Sequence, residues 1–111
     1  MKSYLNNLFN LEGKVAVVTG AGGHLCSEMA RAFAKAGCSV AVLDLRIEKA
    51  KSIEDEIRSL GYDKVISLAI DVAKKDDHIS VLKTILLNFG KIDILINDEM
   101  YKNIGKHFKQ L

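Results

Sequence analysis

The sequence predicts an α/β fold in three layers, a four-stranded parallel sheet of order 3-2-1-4 with helices on both faces. Three observations predict it. Four short, continuous apolar runs are separated by three longer segments whose apolar residues recur at helical spacing. Each of those longer segments closes on a glycine, at Gly37, Gly61 and Gly90. No proline and no low-complexity linker interrupts the 111 residues. Strands alternating with helices of this length require crossovers, which leave neighbouring strands parallel and the connections right-handed.

The first strand is Val15, Ala16, Val17 and Val18, bounded by Thr19 and Gly20; an unbroken apolar run of this length suits a strand buried on both faces. A glycine-rich turn follows, then a helix with its apolar stripe on Leu25, Met29, Ala32, Phe33 and Ala36. The second strand is Val40 to Asp44, and the second helix carries Ile47, Ala50, Ile53, Ile57 and Leu60. Val65 to Ile70 form the third strand, ending at Asp71. Asp76 or Asp77 can cap a third helix whose apolar positions are Ile79, Leu82, Ile85, Leu86 and Phe89. Ile92 to Ile96 form the fourth strand, ending at Asn97. In the predicted order the first two helices cover one face and the third begins to cover the other.

At 49% hydrophobic the chain has apolar side chains for one modest core and a single domain. A net charge of +2 with interspersed signs calls for neither nucleic acid nor a membrane surface. Cys26 and Cys38 read as reduced, buried thiols of a cytoplasmic protein, with no metal-ligand set around them. The stretch before Lys14 is broken by Asn6, Asn7 and Asn10, so no signal-peptide core is expected.

The chemistry is concentrated in Thr19-Gly20-Ala21-Gly22-Gly23-His24-Leu25-Cys26, set directly after a strand and directly before a helix. Glycines there let the backbone turn tightly and approach a pyrophosphate, whose charge the amides and dipole of the helix N-terminus then hold. Gly20, Gly22, Gly23, His24 and Leu25 are therefore the candidate phosphate-side residues of a Rossmann-type dinucleotide site. His24 has an alternative as an exposed loop residue. Asp44, 24 residues beyond Gly20, ends the second strand, where a carboxylate can accept both adenosine ribose hydroxyls and repel a 2′-phosphate. That favours NAD over NADP, softened by Arg46 two residues on; the alternative role for Asp44 is a cap on the second helix. Asp71 and Asn97 end their strands on the same carboxyl edge, along which doubly wound sheets bind ligands. His78 and His107 read as isolated surface residues.

On these residues the chain resembles the short-chain dehydrogenase/reductase family, over residues 8 to 97. Leu11-Glu12-Gly13-Lys14-Val15-Ala16-Val17-Val18-Thr19-Gly20 is similar to a family member's opening. The resemblance assigns Asp44 to the ribose, Asp71-Val72 to adenine through carboxylate and backbone, and Asn97 to the start of an Asn-Ala-Gly motif. Two signature glycines are replaced, by His24 and Cys26; the small Cys26 still permits close packing of helix on strand. Gly23-His24-Leu25-Cys26 with the following Ser-Glu-Met-Ala resembles the sugar-acid branch that includes D-mannonate oxidoreductases.

After Asn97 the family's Ala-Ala-Gly is replaced by Asp98-Glu99-Met100, and 14 residues remain. Residues 1–97 are thus expected to be an incomplete NAD(P)-binding domain, and 98–111 an atypical tail, either a docked short helix or frayed. The Ser and Tyr-x-x-x-Lys of the family are not encoded, and Gly105 stands where Tyr101 would need its Lys. No catalytic residue is therefore expected. Hydride transfer without the proton donor would lose roughly 10² to 10⁴ in rate. The fourth strand is expected to present an apolar edge to the tail, to a second copy or to another chain. The reading that follows is the dinucleotide-binding part of an NAD-dependent oxidoreductase acting on an alcohol or sugar acid, inactive alone. A non-catalytic nucleotide-binding module and a structural fragment are the alternatives.

Overall fold

The computed structural model describes residues 11–97, and every predicted strand and helix forms. In chain order these are β1 Val15–Thr19, α1 His24–Lys35, β2 Ser39–Asp44, α2 Ile47–Ser59, β3 Val65–Ala69, α3 Lys75–Phe89 and β4 Ile94–Ile96. The strands are parallel throughout and ordered β3-β2-β1-β4, as predicted. The expected tail, 98–111, lies outside the described residues.

Strand alternation sorts the core into two clusters. Ala16 and Val18 of β1 point with Val40 and Val42 of β2 toward Cys26, Ala30 and Ala34 of α1 and Ala50 and Ile57 of α2. Val15 and Val17 point the other way, with Ala41 and Leu43, toward Val81 and Ile85 of α3. All five residues of β1 are buried, which is why its sequence is continuously apolar instead of alternating.

The helix faces depart from the apolar stripes. α1 buries Cys26, Ser27, Ala30 and Ala34, while Leu25 is exposed and Phe33 only half-buried. Short side chains at those four positions let the helix axis close onto β1 and β2, and the longer residues are displaced to its flanks. Ile47 and Leu60 at the ends of α2 are exposed. In the middle of that helix Glu54 is buried, accepting hydrogen bonds from the Ser67 hydroxyl on β3 and from Arg58 Nε at 2.8 Å. Burial pushes the Glu54 carboxyl upward, but these hydrogen bonds and the charges of Lys51 and Arg58 outweigh it and hold the group below the ordinary carboxylate value. Neither Asp76 nor Asp77 is the cap of α3; Lys74 stands at that position, and both aspartates fall in the first turn.

β4 is shorter than the predicted Ile92 to Ile96. Asp93 explains this. Its amide donates to the Val15 carbonyl at 2.9 Å, while the Val15 amide donates to Asp93 Oδ2 at 2.8 Å, so a side chain takes the place of a ladder carbonyl. The Val15 amide, with Lys91, holds the Asp93 carboxyl below its ordinary value. Among the described residues no helix is long and apolar enough to cross a membrane.

Candidate functional site

The glycine-rich loop leaves β1 through Gly20, whose φ of +68° is a conformation that side-chain-bearing residues rarely adopt. The Gly23 amide turns back to the Gly20 carbonyl at 2.9 Å, and the Ala21 amide reaches across to the Leu43 carbonyl of β2 at 2.9 Å. The Gly22 amide donates to Asp44 Oδ2, also at 2.9 Å. A Cβ added at Gly22 would lie 2.7 to 2.9 Å from the Lys49 stem and that same carboxylate oxygen, so this position has no room for a side chain. His24 and Leu25 are the first two residues of α1, and their side chains are exposed. Their amides make no hydrogen bond among the described residues, and the first turn of α1 carries no acidic residue. Two amide donors at the positive end of the helix dipole therefore face outward. Cys26, one residue further, is buried against the sheet, as a small side chain at that position allows.

Asp44 closes β2 with its carboxylate held at both oxygens, Oδ2 by Gly22 and Oδ1 by the Arg46 amide at 3.0 Å. The capping alternative is realised only as this turn bond, since Arg46 is itself the residue preceding α2 and its side chain makes no capping bond. Each carboxylate oxygen keeps a further acceptor site. The Asp44 carbonyl accepts the Ile70 amide at 3.0 Å, which ties the ends of β2 and β3 together.

In the β3–α3 loop, the Asp71 amide donates to Asp77 Oδ2 at 3.0 Å and the Ala73 amide to Asp71 Oδ1 at 3.0 Å. The Lys74 amide donates to the Asp71 carbonyl at 2.9 Å. Val72 is exposed, and its amide alone of those from Asp71 to Lys74 makes no hydrogen bond among the described residues. Asn97 follows β4 on the far side of β1, where the Thr19 hydroxyl donates to the Ile96 carbonyl at 3.3 Å. The fold thus sets the predicted residues in a row along the carboxyl edge: Asp71-Val72, Asp44, the glycine loop, Asn97. Gly22 and Asp44 touch; Asn97 and Val72 meet only as walls of an open apolar groove, shared with Val17, Leu43 and Leu82.

Sequence reading missed two participants. His78 is not isolated: its Nε2 lies 2.8 Å from the Val72 carbonyl, and it lines the groove. Asp77 grips the amide of Asp71. The available signal was position, since side chains in the first turn of a helix point back toward the loop that precedes it.

Comparison with known proteins fits this geometry. The family model described as short chain dehydrogenase matches residues 14–103. The chain belongs to the short chain dehydrogenase family. It is 41% identical over 88 residues to the uncharacterized oxidoreductase UxuB of Bacillus subtilis (strain 168), covering 79% of this chain and 31% of that protein. It is 40% identical over 90 residues to 2-dehydro-3-deoxy-D-gluconate 5-dehydrogenase of Escherichia coli (strain K12), covering 81% and 34%. A crystal structure of a putative D-mannonate oxidoreductase from Haemophilus influenza with bound NAD superposes with a TM-score of 0.75 at 35% identity, over 82% of this chain and 32% of that one. The chain spans about a third of the length of the curated relatives it matches.

Proposed function

We propose that residues 11–97 hold the adenosine and pyrophosphate portion of NAD for a short chain oxidoreductase whose substrate is an alcohol or sugar acid of the D-mannonate or fructuronate kind. The observation that carries this is the Gly22 amide seated on Asp44 beside the outward-facing amides of His24 and Leu25. The pyrophosphate lies against Gly20, Gly22, Gly23 and those two amides. The ribose hydroxyls take the remaining acceptor sites of Asp44, whose charge disfavours the 2′-phosphate of NADP. Adenine offers an acceptor, N1, and a donor, its 6-amino group, along one edge; the Val72 amide and the Asp71 carboxylate present the matching donor and acceptor. Asn97 lies toward the nicotinamide side. The NAD-bound structure described as a putative D-mannonate oxidoreductase supports the choice of cofactor and of substrate class.

When bound, the cofactor supplies the hydride chemistry, and the described residues bind and orient its adenosine half. Among the described residues the one tyrosine, Tyr62, follows α2 at the opposite, amino edge of the sheet, so it does not serve as proton donor. We expect the described residues to bind the cofactor without turning it over. The cytoplasm is the matching compartment, since Cys26 and Cys38 are both buried and neither is joined in a disulfide. Among the described residues β4 pairs only with β1, leaving an edge that a second copy or another chain can extend.

Calorimetric titration with NAD and NADP tests the reading. Saturable binding with NAD preferred is expected, and Asp44→Ala should weaken NAD about tenfold while narrowing the gap to NADP. Binding of neither dinucleotide would refute the site; oxidation of D-mannonate by the pure chain would refute the expectation of binding without turnover.

A further inference from the structure

We propose that His78 is a positioning residue for adenine recognition, acting through the backbone of Val72; this rests on the reading that Asp71-Val72 receives adenine. A carbonyl oxygen only accepts, so Nε2 of His78 donates to the Val72 carbonyl across its 2.8 Å contact. The peptide between Val72 and Ala73 is then held at both ends, by His78 on its oxygen and by Asp71 Oδ1 on its N–H. The preceding peptide, between Asp71 and Val72, is held only at its oxygen, by the Lys74 amide. Its N–H is left over. The loop therefore presents a single outward donor with its orientation fixed from both sides.

Both side-chain anchors of the loop, Asp77 and His78, come from the first turn of α3, and α3 is fixed to the sheet through buried Val81 and Ile85. The donor's direction is thus set by a rigid helix and not by the loop itself. A side chain that held Val72 in some other direction would leave the Asp71 carboxylate in place but would misalign the N–H against N1. Without His78, the Val72–Ala73 peptide keeps only its bond to the Asp71 side chain, and the angle of the Val72 amide relaxes.

His78 is itself exposed, so replacing it leaves both core clusters intact. The test compares NAD with its 1-deazaadenine analogue, in which N1 becomes C–H and only that acceptor is lost. Dissociation constants are measured for the unaltered chain, His78→Ala and His78→Gln. The unaltered chain should prefer NAD by about five- to tenfold, the loss of one hydrogen bond. His78→Ala should bind the two dinucleotides alike, whereas His78→Gln, whose amide can still donate to Val72, should recover most of the preference. A purely structural role would weaken both ligands together and leave their ratio unchanged. An unaltered chain that binds NAD without separating it from the analogue overturns the adenine reading, and this proposal with it. A chain that separates them, with His78→Ala separating them equally, overturns the role of His78 alone.

Discussion

The two faces of the sheet are built differently. On one, α1 lies over β1 and β2 and α2 over β2 and β3, and small residues of the helices, Cys26, Ala30, Ala34 and Ala50, close against Ala16 and the valines of the sheet, with Ile57 fully buried among them. Arg31 of α1 joins the pair at its rim, bonded to Glu56 of α2 at 2.7 Å. On the other face α3 is the single helix among the described residues; Leu82 and Leu86 are nearly half-exposed, and Leu95 of β4 is 55% exposed. The closed face is a packed interior, whose role is to fix the strand ends. The open face carries the groove that Val72, His78, Thr19 and Asn97 help to line. Dense packing thus backs the glycine-rich loop, and an accessible surface adjoins the β3–α3 loop.

The largest expected effect belongs to the closed face. Ile57→Ala, at a position with no exposure, should lower unfolding free energy by about 3 kcal/mol in urea titrations. A cost below about 1 kcal/mol would show that this face repacks freely and would remove the contrast. Gly22→Ala comes next: with 2.7 to 2.9 Å to its neighbours, the new methyl must push Asp44 or Lys49 aside. It should cost about 1 to 3 kcal/mol and weaken NAD binding, both measurable on one preparation.

Glu54→Gln sharpens the comparison by pH. The folded-state carboxyl titrates below its unfolded value, so its contribution is complete above the ordinary glutamate value and disappears as pH falls through the folded one. The stability gap between the unaltered chain and Glu54→Gln should therefore be about 1 to 2 kcal/mol near neutrality and shrink in acid. A gap that widens in acid would reverse the assigned direction. The smallest effect is expected on the open face, where Leu82→Ala should cost less than about 1 kcal/mol because the side chain is 46% exposed. A loss matching that of Ile57→Ala would mean that Leu82 is covered in solution.

Sheet order, helix count and the distribution of helices between faces were legible because the apolar runs and glycine stops are strong local signals. The glycine loop and Asp44 could be singled out because dinucleotide binding needs fixed residue types at fixed spacing, and the structure joins them through the Gly22 amide. The buried face of α1 was not. Alanine, cysteine and serine contribute little to an apolar stripe, yet they are the residues that close approach selects. The length of β4 was obscured by Asp93, a polar residue whose side chain mimics a strand partner. His78 was overlooked for a related reason: its contact is to a backbone carbonyl, and spacing says nothing about where a loop turns its peptides.

The pair of bonds between Val15 and Asp93 has a consequence for the order of assembly. They join residues 78 apart, and the β1–β4 pairing begins one residue further along each strand. At translation rates of roughly 5 to 20 residues per second, Asp93 emerges about 4 to 16 s after Val15. During that interval β1 can pair with β2 on one side while its other side stays bare. The strand that ends as the most deeply enclosed is thus the one left longest with an unclaimed border, and nascent chains are most open to mispairing there.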